Sequence, residues 1–502
     1  MTRCGLLLRA VSMAQRCGEH RFHRALRDPA AVQWQQLRRY VRRNADTAFG
    51  RAHHFTKIDS PDAWRARVPI SDPNDYQDWI TRIASGESGV VTSEPVQRLL
   101  PTGGSSGGRK LIPWTASLGT EFRTALDAWL GRLFRIRPDL RNGPAYWSLS
   151  PALPADNTTV PIGFDDDSAY LGPLQKLIRP TLVAPDALTR IQDVNRFRYL
   201  TARHLVACGA MRLVSVWHPS FFGNLLTTIT DQRSTLIRDL AMGGDGGSGL
   251  AALRLPPLPQ RAACLERSTA PCDLWPHLQL ISCWTHGAAL GPARHLHASC
   301  PGIAIQGKGL LATEGVVTIP YGLHHPLAVT SHVYEFIDEA GRCWWPHQLR
   351  EGACYEVVLT TGGGLYRYRL GDLVRVTGTL GATPCFRFLR RRGEVSDLVG
   401  EKLDAAFVAQ VLARVIPSTC GEATLYATSG TPPRYALATQ HPVTTPHLLQ
   451  QLDTALRANP GYAWARSLGQ LGELQSHHAE TASATQRLGD RKPRALVPLE
   501  IA

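Results

Sequence analysis

The stretch that most constrains this chain runs from Pro101 to Trp114 and reads PTGGSSGGRKLIPW. Thr102, Ser105 and Ser106 sit among Gly103, Gly104, Gly107 and Gly108, and the stretch closes with Arg109 and Lys110 before LIPW. Glycine lets successive backbone N–H groups turn toward one anion with no Cβ in the way, hydroxyls add donors, and a lysine adds a point charge. This is the composition of a phosphate cradle. Leu118, Phe122, Leu126, Leu130 and Leu133 recur near helical spacing, which predicts a helix over Ser117 to Phe134 directly after the loop. A flexible Gly/Ser linker shares the composition but seldom ends in Arg-Lys-Leu-Ile-Pro and then enters a helix. The P-loop spacing is absent, because Leu111 follows Lys110 where Ser or Thr is required. Nor does the stretch fit the dinucleotide fingerprint, which needs an acidic residue about 20 positions on, at the end of the next strand.

A chain of 502 residues with 43% hydrophobic and 19% charged residues is long enough for two or three domains and a large core. The formal charge of +14 would suit an anionic ligand, a nucleic acid or an acidic partner. The basic residues are spread along the chain, however, and no RNP, zinc-finger or basic-zipper pattern accompanies them, so nucleic-acid binding is not expected. Lysine occurs only at 57, 110, 176, 308, 402 and 492. Ammonium and guanidinium are not interchangeable, so Lys110, Lys308, Lys402 and Lys492, inside Gly-rich or Pro-flanked motifs, mark places where a point charge is wanted. The eleven cysteines form no CxxC pair, which points to reduced thiols rather than a zinc site or a disulfide framework. The apolar run Gly5 to Leu8 is broken by Arg9 and no stretch approaches a membrane span, so a cytoplasmic location without membrane association is expected.

Residues up to about Asn44 are predicted helical, with Val32, Trp34, Leu37, Tyr40 and Val41 on one face. Ala145 to Pro151, Met211 to Trp217 and Leu278 to Trp284 read as strands, and a helix is predicted from His218-Pro219-Ser220 to about Leu240. The Asp165 to Asp167 trio reads as a solvated turn, and the Gly243 to Gly249 run as a mobile loop. His332 to Asp338, Tyr355 to Thr361 and Tyr366 to Val376 are β-rich, and past Arg392 strands and helices mix. The fold class is therefore α/β: a large N-terminal domain over 1–392, with a small barrel or sheet appended, and a smaller α+β domain over 393–502.

Four elements stand in order: the Gly/Ser loop, Ala312-Thr313-Glu314-Gly315, Tyr366-Arg367-Tyr368-Arg369-Leu370-Gly371-Asp372, and a Lys402 boundary leading to Lys492-Pro493-Arg494. The series resembles the adenylate-forming superfamily, and within it the Gretchen Hagen family of auxin-responsive acyl acid amido synthetases and their bacterial relatives. GKGLLATEG (Gly307 to Gly315) and GLYRYRLGD (Gly364 to Asp372) are similar to its second and third motifs, and GEVSDLVGEKL (Gly393 to Leu403) to its interdomain segment. VWHPSFFGNLL and LWPHLQLISCW are similar to stretches of its bacterial members.

The resemblance implies an enzyme that uses ATP and Mg²⁺ to adenylate a carboxylic acid and passes the acyl group to an amine or amino acid. Capture by a thiol, on coenzyme A or a carrier protein, is the alternative outcome. Thr102, Gly103, Ser105, Ser106, Gly107 and Lys110 would hold the phosphates of ATP, and Glu314 would ligate Mg²⁺. Leu311, Ala312 and Thr313 would flank the adenine, while Tyr368, Asp372 and Arg391 complete the nucleotide contacts, Asp372 on the ribose hydroxyls. Lys110, Glu314 and Lys492 would carry the chemistry. Pro493 follows Lys492 directly, whereas family members usually keep one residue between them. The small domain would rotate between half-reactions about a hinge from Arg392 to Lys402, where Gly393 and Gly400 can absorb the change. Trp147, Trp217, Phe221 and Phe222 would line the acyl pocket.

Overall fold

The computed structural model describes residues 3–102, 110–149, 175–392, 395–417, 420, 423–439, 447–477 and 496–497. Two compact units emerge. The first comprises Met1–Leu100, Leu111–His286 and Ala293–Arg390; the second comprises Pro101–Lys110, Gly287–Pro292 and Arg391–Ala502.

The N-terminal helical region is broken once, between Arg3–Ala25 and Pro29–Arg43. Asp28 causes the break: its carboxylate accepts the Ala31 amide at 3.0 Å and Pro29 takes the first helical position, where a missing N–H costs nothing. Strands β1 (Arg98–Thr102) and β2 (Lys110–Trp114) pair on either side of the Gly/Ser loop. Thr115 then caps the helix Ala116–Ile136, its Oγ1 accepting the Leu118 amide at 3.1 Å.

Four parallel strands follow: β3 (Ala145–Trp147), β4 (Leu213–Ser215), β5 (Leu280–Cys283) and β6 (Ala304–Gly307), side by side in that order. Every residue of β3, β4 and β5 is buried, as expected of a parallel sheet covered on both faces. The remaining strands of this unit are β7 (Val333–Ile337), β8 (Cys343–Trp344), β9 (Cys354–Thr360), β10 (Tyr368–Leu380) and β11 (Thr383–Arg391). They form a five-stranded sheet in the order β11-β10-β9-β7-β8. β9 is antiparallel to β10 and β7, and β7 to β8. One hydrophobic core runs from Val11 and Phe22 through Trp64, Leu118 and Phe122 to Tyr334, Val357 and Tyr366.

Two local expectations are corrected. The helix after His218 stops at Asp231, and a second one, Arg233–Met242, begins beyond Gln232. Thr227, Thr228, Ile229 and Thr230 crowd the last turn of the first helix with β-branched side chains, which weakens its continuation. The Gly243 to Gly249 run is fastened rather than loose. Asp245 accepts the amides of Gly247 at 3.0 Å and Gly249 at 2.8 Å, and Arg203 donates to the Gly244 carbonyl at 2.7 Å.

The second unit begins with the short pair β12 (Val395–Ser396) and β13 (Leu403–Asp404). β14 (Ala423–Thr428) and β15 (Arg434–Thr439) are antiparallel, flanked in parallel by β17 (Leu496–Val497) and β16 (Gln475–His477). Helices Ala405–Val415, Leu448–Leu456 and Pro460–Ser467 supply Val408, Leu452, Leu456 and Tyr462 to a core shared with Leu403 and Leu425. The turn joining β12 to β13 is held by Glu401, whose carboxylate accepts the Leu398 and Val399 amides at 2.8 Å each and the Tyr435 hydroxyl. Burial, reinforced by Asp397, pushes the Glu401 carboxyl up to about 7. Gly400 and Lys402 take positive φ values of 107° and 50° in this turn.

No described helix is long and apolar enough to cross a membrane.

Candidate functional site

The segment from Gly307 to Val316 leaves the carboxyl end of β6 and folds back on itself. Leu311 bridges Val316, and Ala312 and Gly315 exchange backbone hydrogen bonds at 3.0 and 3.2 Å. Gly309 makes the turn possible. Its φ is +78°, and a Cβ there would stand 2.7 Å from the Thr318 carbonyl oxygen. The loop carries Glu314, only 2% exposed, with Leu311 buried and Ala312 and Thr313 partly open.

The third motif follows a different logic. Tyr366 is fully buried and its hydroxyl donates to the Val91 carbonyl at 2.7 Å. Arg367 donates to Glu335 through Nε at 2.8 Å and Nη2 at 3.1 Å, and Arg369 grips Glu356 at 3.1 and 2.7 Å. These arginines are therefore committed to paired carboxylates rather than offered to a ligand. Tyr368, 3% exposed, packs edge-on to Tyr76 with ring centroids 5.6 Å apart. Pairing of β10 with β9 then slips between Arg369 and Leu373, and Asp372, 5% exposed, lies in that irregularity beside Gly371 at φ +80°. A bulge of this kind re-aims a side chain that regular alternation would have directed elsewhere.

Both segments rest on a residue that sequence reasoning passed over. Glu121, 6% exposed, lies on the inner face of helix Ala116–Ile136. Its carboxylate accepts the Tyr40 hydroxyl at 2.7 Å, the Gly362 amide at 2.9 Å and His332 Nδ1 at 2.8 Å. His332 Nε2 in turn accepts the Val316 amide at 3.0 Å, so Nδ1 must carry the ring proton and donate it to Glu121. One carboxylate thus braces the loop that bears Glu314 and the turn that opens the third motif. The signal available in the sequence was an acidic residue inside an apolar helical stripe.

Of the expected acyl-pocket residues, Trp147 closes β3 and Trp217 follows β4, both at the carboxyl edge of the parallel sheet. Phe221 is 8% exposed on the next helix. Phe222, fully buried, packs on Trp275 with centroids 6.0 Å apart, a core position in the helical layer. Arg391 is the last residue of β11. Gly103, Ser105, Ser106, Gly107, Lys492 and the Asp165 to Asp167 trio lie outside the described residues, as do the side chains of Thr102 and Lys110.

Among the described residues, no group of three or more His, Cys, Asp or Glu is gathered for an all-protein metal cage. Mg²⁺ in phosphate-transfer sites does not need one, since one or two carboxylates, phosphate oxygens and water complete its shell. Glu314, a buried carboxylate on a turn, fits that pattern, and Asp372, a buried carboxylate on a bulge, is an acceptor of the kind ribose hydroxyls need.

Residues 18–305 match the GH3 family N-terminal domain and residues 325–391 the GH3 family central domain. The chain is similar to a probable indole-3-acetic acid-amido synthetase, GH3.12 of Oryza sativa subsp. japonica, at 26% identity over 76% of this chain and 72% of that protein. Its fold is similar to that of AtGH3.15 acyl acid amido synthetase solved with 2,4-DB, with TM-score 0.71 and 18% identity over 97% of this chain and 95% of the other. It is also similar, more distantly, to a 2-hydroxyisobutyryl-CoA ligase, with TM-score 0.53 and 13% identity over 96% and 89% of the two chains. With more than half of its length matched by one family domain, the chain belongs to the GH3 family.

Proposed function

We propose that the chain is an ATP-dependent acyl acid amido synthetase, joining a carboxylic acid to an amine or amino acid through an acyl adenylate. The observation that carries this reading is that Glu314 and Asp372 are each buried on irregular backbone, and that Glu121 braces the backbone just after the first and just before the motif of the second. The GH3 domain matches and the amido synthetase relatives support the same reaction class.

In the first half-reaction a carboxylate oxygen of the acid bonds to the α-phosphorus of ATP and pyrophosphate leaves. In the second, the amine nitrogen attacks the acyl carbon, AMP departs and the nitrogen gives up a proton. Bringing two anions together is the difficulty, so the site must neutralise charge as the pentavalent transition state forms. Glu314 would hold Mg²⁺, which supplies Lewis-acid stabilisation to phosphate oxygens when bound. Leu311, Ala312 and Thr313 would border the adenine, Tyr368 would pack behind it, and Asp372 would accept the ribose hydroxyls. Thr102, Gly103, Ser105, Ser106, Gly107 and Lys110 would cradle the phosphates, with Arg391 and Lys492 completing the cationic surround. A division into a large domain over 1–392 and a small mobile one over 393–502 gives the second half-reaction its own arrangement.

A hydroxylamine trap tests this. Purified protein with ATP, Mg²⁺ and pooled aryl, indole-type and aliphatic acids is expected to form a hydroxamate only when ATP is present. No hydroxamate from protein that binds ATP would overturn the reading.

A further inference from the structure

Basic side chains occur along the whole chain, but the carboxylates that would balance them are scarce at its start. Residues 1–43 contain ten arginines and two acids, Glu19 and Asp28, so eight of the fourteen net positive charges sit in this stretch. Both acids are engaged elsewhere. Glu19 is buried and accepts Arg135 Nη2 at 2.8 Å and the Tyr321 hydroxyl at 2.6 Å, while Asp28 caps the helix Pro29–Arg43. The field of the arginines is therefore left to solvent or to a ligand.

Four of them meet around one cleft of about 650 Å³ between helices Arg3–Ala25, Pro29–Arg43 and Ala116–Ile136. Small-molecule sites run from roughly 300 to 1,000 Å³. Arg21 and Arg24, three residues apart, enter from the first helix, and Arg39 and Arg43, four apart, from the second, so each pair shares a helix face. Arg43 is committed to Glu94 and to Ser117 Oγ, the latter at 2.6 Å, and Arg21 acts on Asp127 together with Arg123. Arg24 and Arg39 are exposed and make no side-chain hydrogen bond or ion pair with a described residue. Two carboxylates, Glu94 and Glu121, also line the cleft. Glu94 is taken by Arg43, and Glu121 spends its oxygens on Tyr40, Gly362 and His332, so the lining keeps a net positive charge.

Helix dipoles favour a cation at each carboxyl end, which covers Arg24 and Arg43 but not Arg21 or Arg39. Like charges four apart weaken a helix, and Arg38 and Arg42 repeat the Arg39 and Arg43 spacing one residue back. The arrangement thus works against helix stability and in favour of an anion. Guanidinium forks take phosphate oxygens two at a time, and here two uncommitted forks stand in a space larger than one phosphate fills. None of the described lining residues belongs to the Gly/Ser loop or to the second and third motifs.

We propose that this cleft is a second anion site, which binds an oligophosphate ligand through Arg24 and Arg39 with Arg21 and Arg43 at its rim. It does not depend on the amido synthetase reading, because no step of that reaction is assigned to it.

Hydrogen exchange read by mass spectrometry tests it, with inorganic triphosphate, ATP and single-stranded RNA as separate probes. Wild type is compared with the double variants Arg24→Gln, Arg39→Gln and Arg24→Lys, Arg39→Lys. Triphosphate is expected to slow exchange over residues 18–43 of wild type. The double Gln variant is expected to raise the apparent Kd for that protection at least tenfold, the double Lys variant to recover part of it, and KM for ATP to stay within twofold in both. Equal Kd values for triphosphate and ATP would assign the site to the phosphate chain, and a tighter Kd for ATP to a nucleotide; both sustain the proposal. No protection over 18–43, an unchanged Kd in the double Gln variant, or protection by RNA and not by triphosphate would each overturn it. Because the readout needs no hydroxamate, failure of the amido synthetase reading would leave this result standing, and the reverse holds too.

Discussion

Glu121 Oε2 lies 2.8 Å from His332 Nδ1, and through that ring the helix following the Gly/Ser loop reaches the Val316 amide, two residues past Glu314. The same carboxylate takes the Gly362 amide, so two motifs about fifty residues apart in sequence share one anchor. Removing the anchor leaves the Tyr40 hydroxyl, the Gly362 amide and the His332 Nδ1 proton without their buried acceptor. Glu121→Ala is therefore expected to cost at least about 3 kcal/mol, at roughly 1–3 kcal/mol for each of the buried donors left without an acceptor. Glu121→Gln, which keeps one acceptor oxygen, is expected to cost roughly half as much. Urea denaturation of both variants checks the order; equal midpoints would contradict it.

Glu314→Gln separates chemistry from folding. The amide matches the carboxylate in size, so the denaturation midpoint is expected to stay close to wild type, while acid-dependent pyrophosphate release falls by roughly 10²–10³-fold, the usual effect of removing one preorganised electrostatic group. Asp372→Asn is expected to act mainly on KM for ATP. Near-normal pyrophosphate release from Glu314→Gln would remove that residue from the mechanism.

The sequence groups Phe222 with Trp217, and the structure gives the two different surroundings. Phe222 is fully buried against Trp275, so Phe222→Ala is expected to destabilise by about 3–5 kcal/mol with little change in KM for the acid. Trp217 is partly open, so Trp217→Ala is expected to reverse that pattern. Stability and KM measured on both variants test the contrast.

Acid sensitivity follows from three buried imidazoles. Burial pulls His204, His218 and His286 down to about 4, with Arg203 adding to the effect at His204 and His325 and Arg387 at His286. In the unfolded chain these groups titrate near 6.5, so between about pH 6.5 and 4 the unfolded state binds more protons than the folded one. Stability is thus full above 6.5 and falls as pH drops toward 4, by up to about 1.4 kcal/mol per pH unit for each histidine. His218→Asn keeps a capping side chain at the start of helix Pro219–Asp231 and is expected to make the acid limb shallower. An unchanged slope of midpoint against pH would contradict the assignment.

The sequence made the architecture legible where period and punctuation agreed. The helix after the Gly/Ser loop extends the expected span by one residue at its start and two at its end. The four-motif order led to the family without any coordinates. What stayed hidden were contacts between distant residues. The carboxylate partners of Arg367 and Arg369, Glu335 and Glu356, lie on neighbouring strands and not in the motif itself. Glu121 stands out only as an acidic residue inside an apolar helical stripe, and its partners Tyr40, His332 and Gly362 come from segments far away in sequence. The irregularity that sets Asp372 is likewise a property of pairing with β9, which no local pattern encodes.

The most direct test of the central claim is a competition read by mass spectrometry. Wild-type protein would be given ATP, Mg²⁺, the acid that yields the strongest hydroxamate, a mixture of the standard amino acids and coenzyme A. The account predicts an acyl–amino acid amide formed one-to-one with AMP, and loss of both products in Glu314→Gln. Acyl-CoA as the main product, or AMP released without any amide, would contradict it.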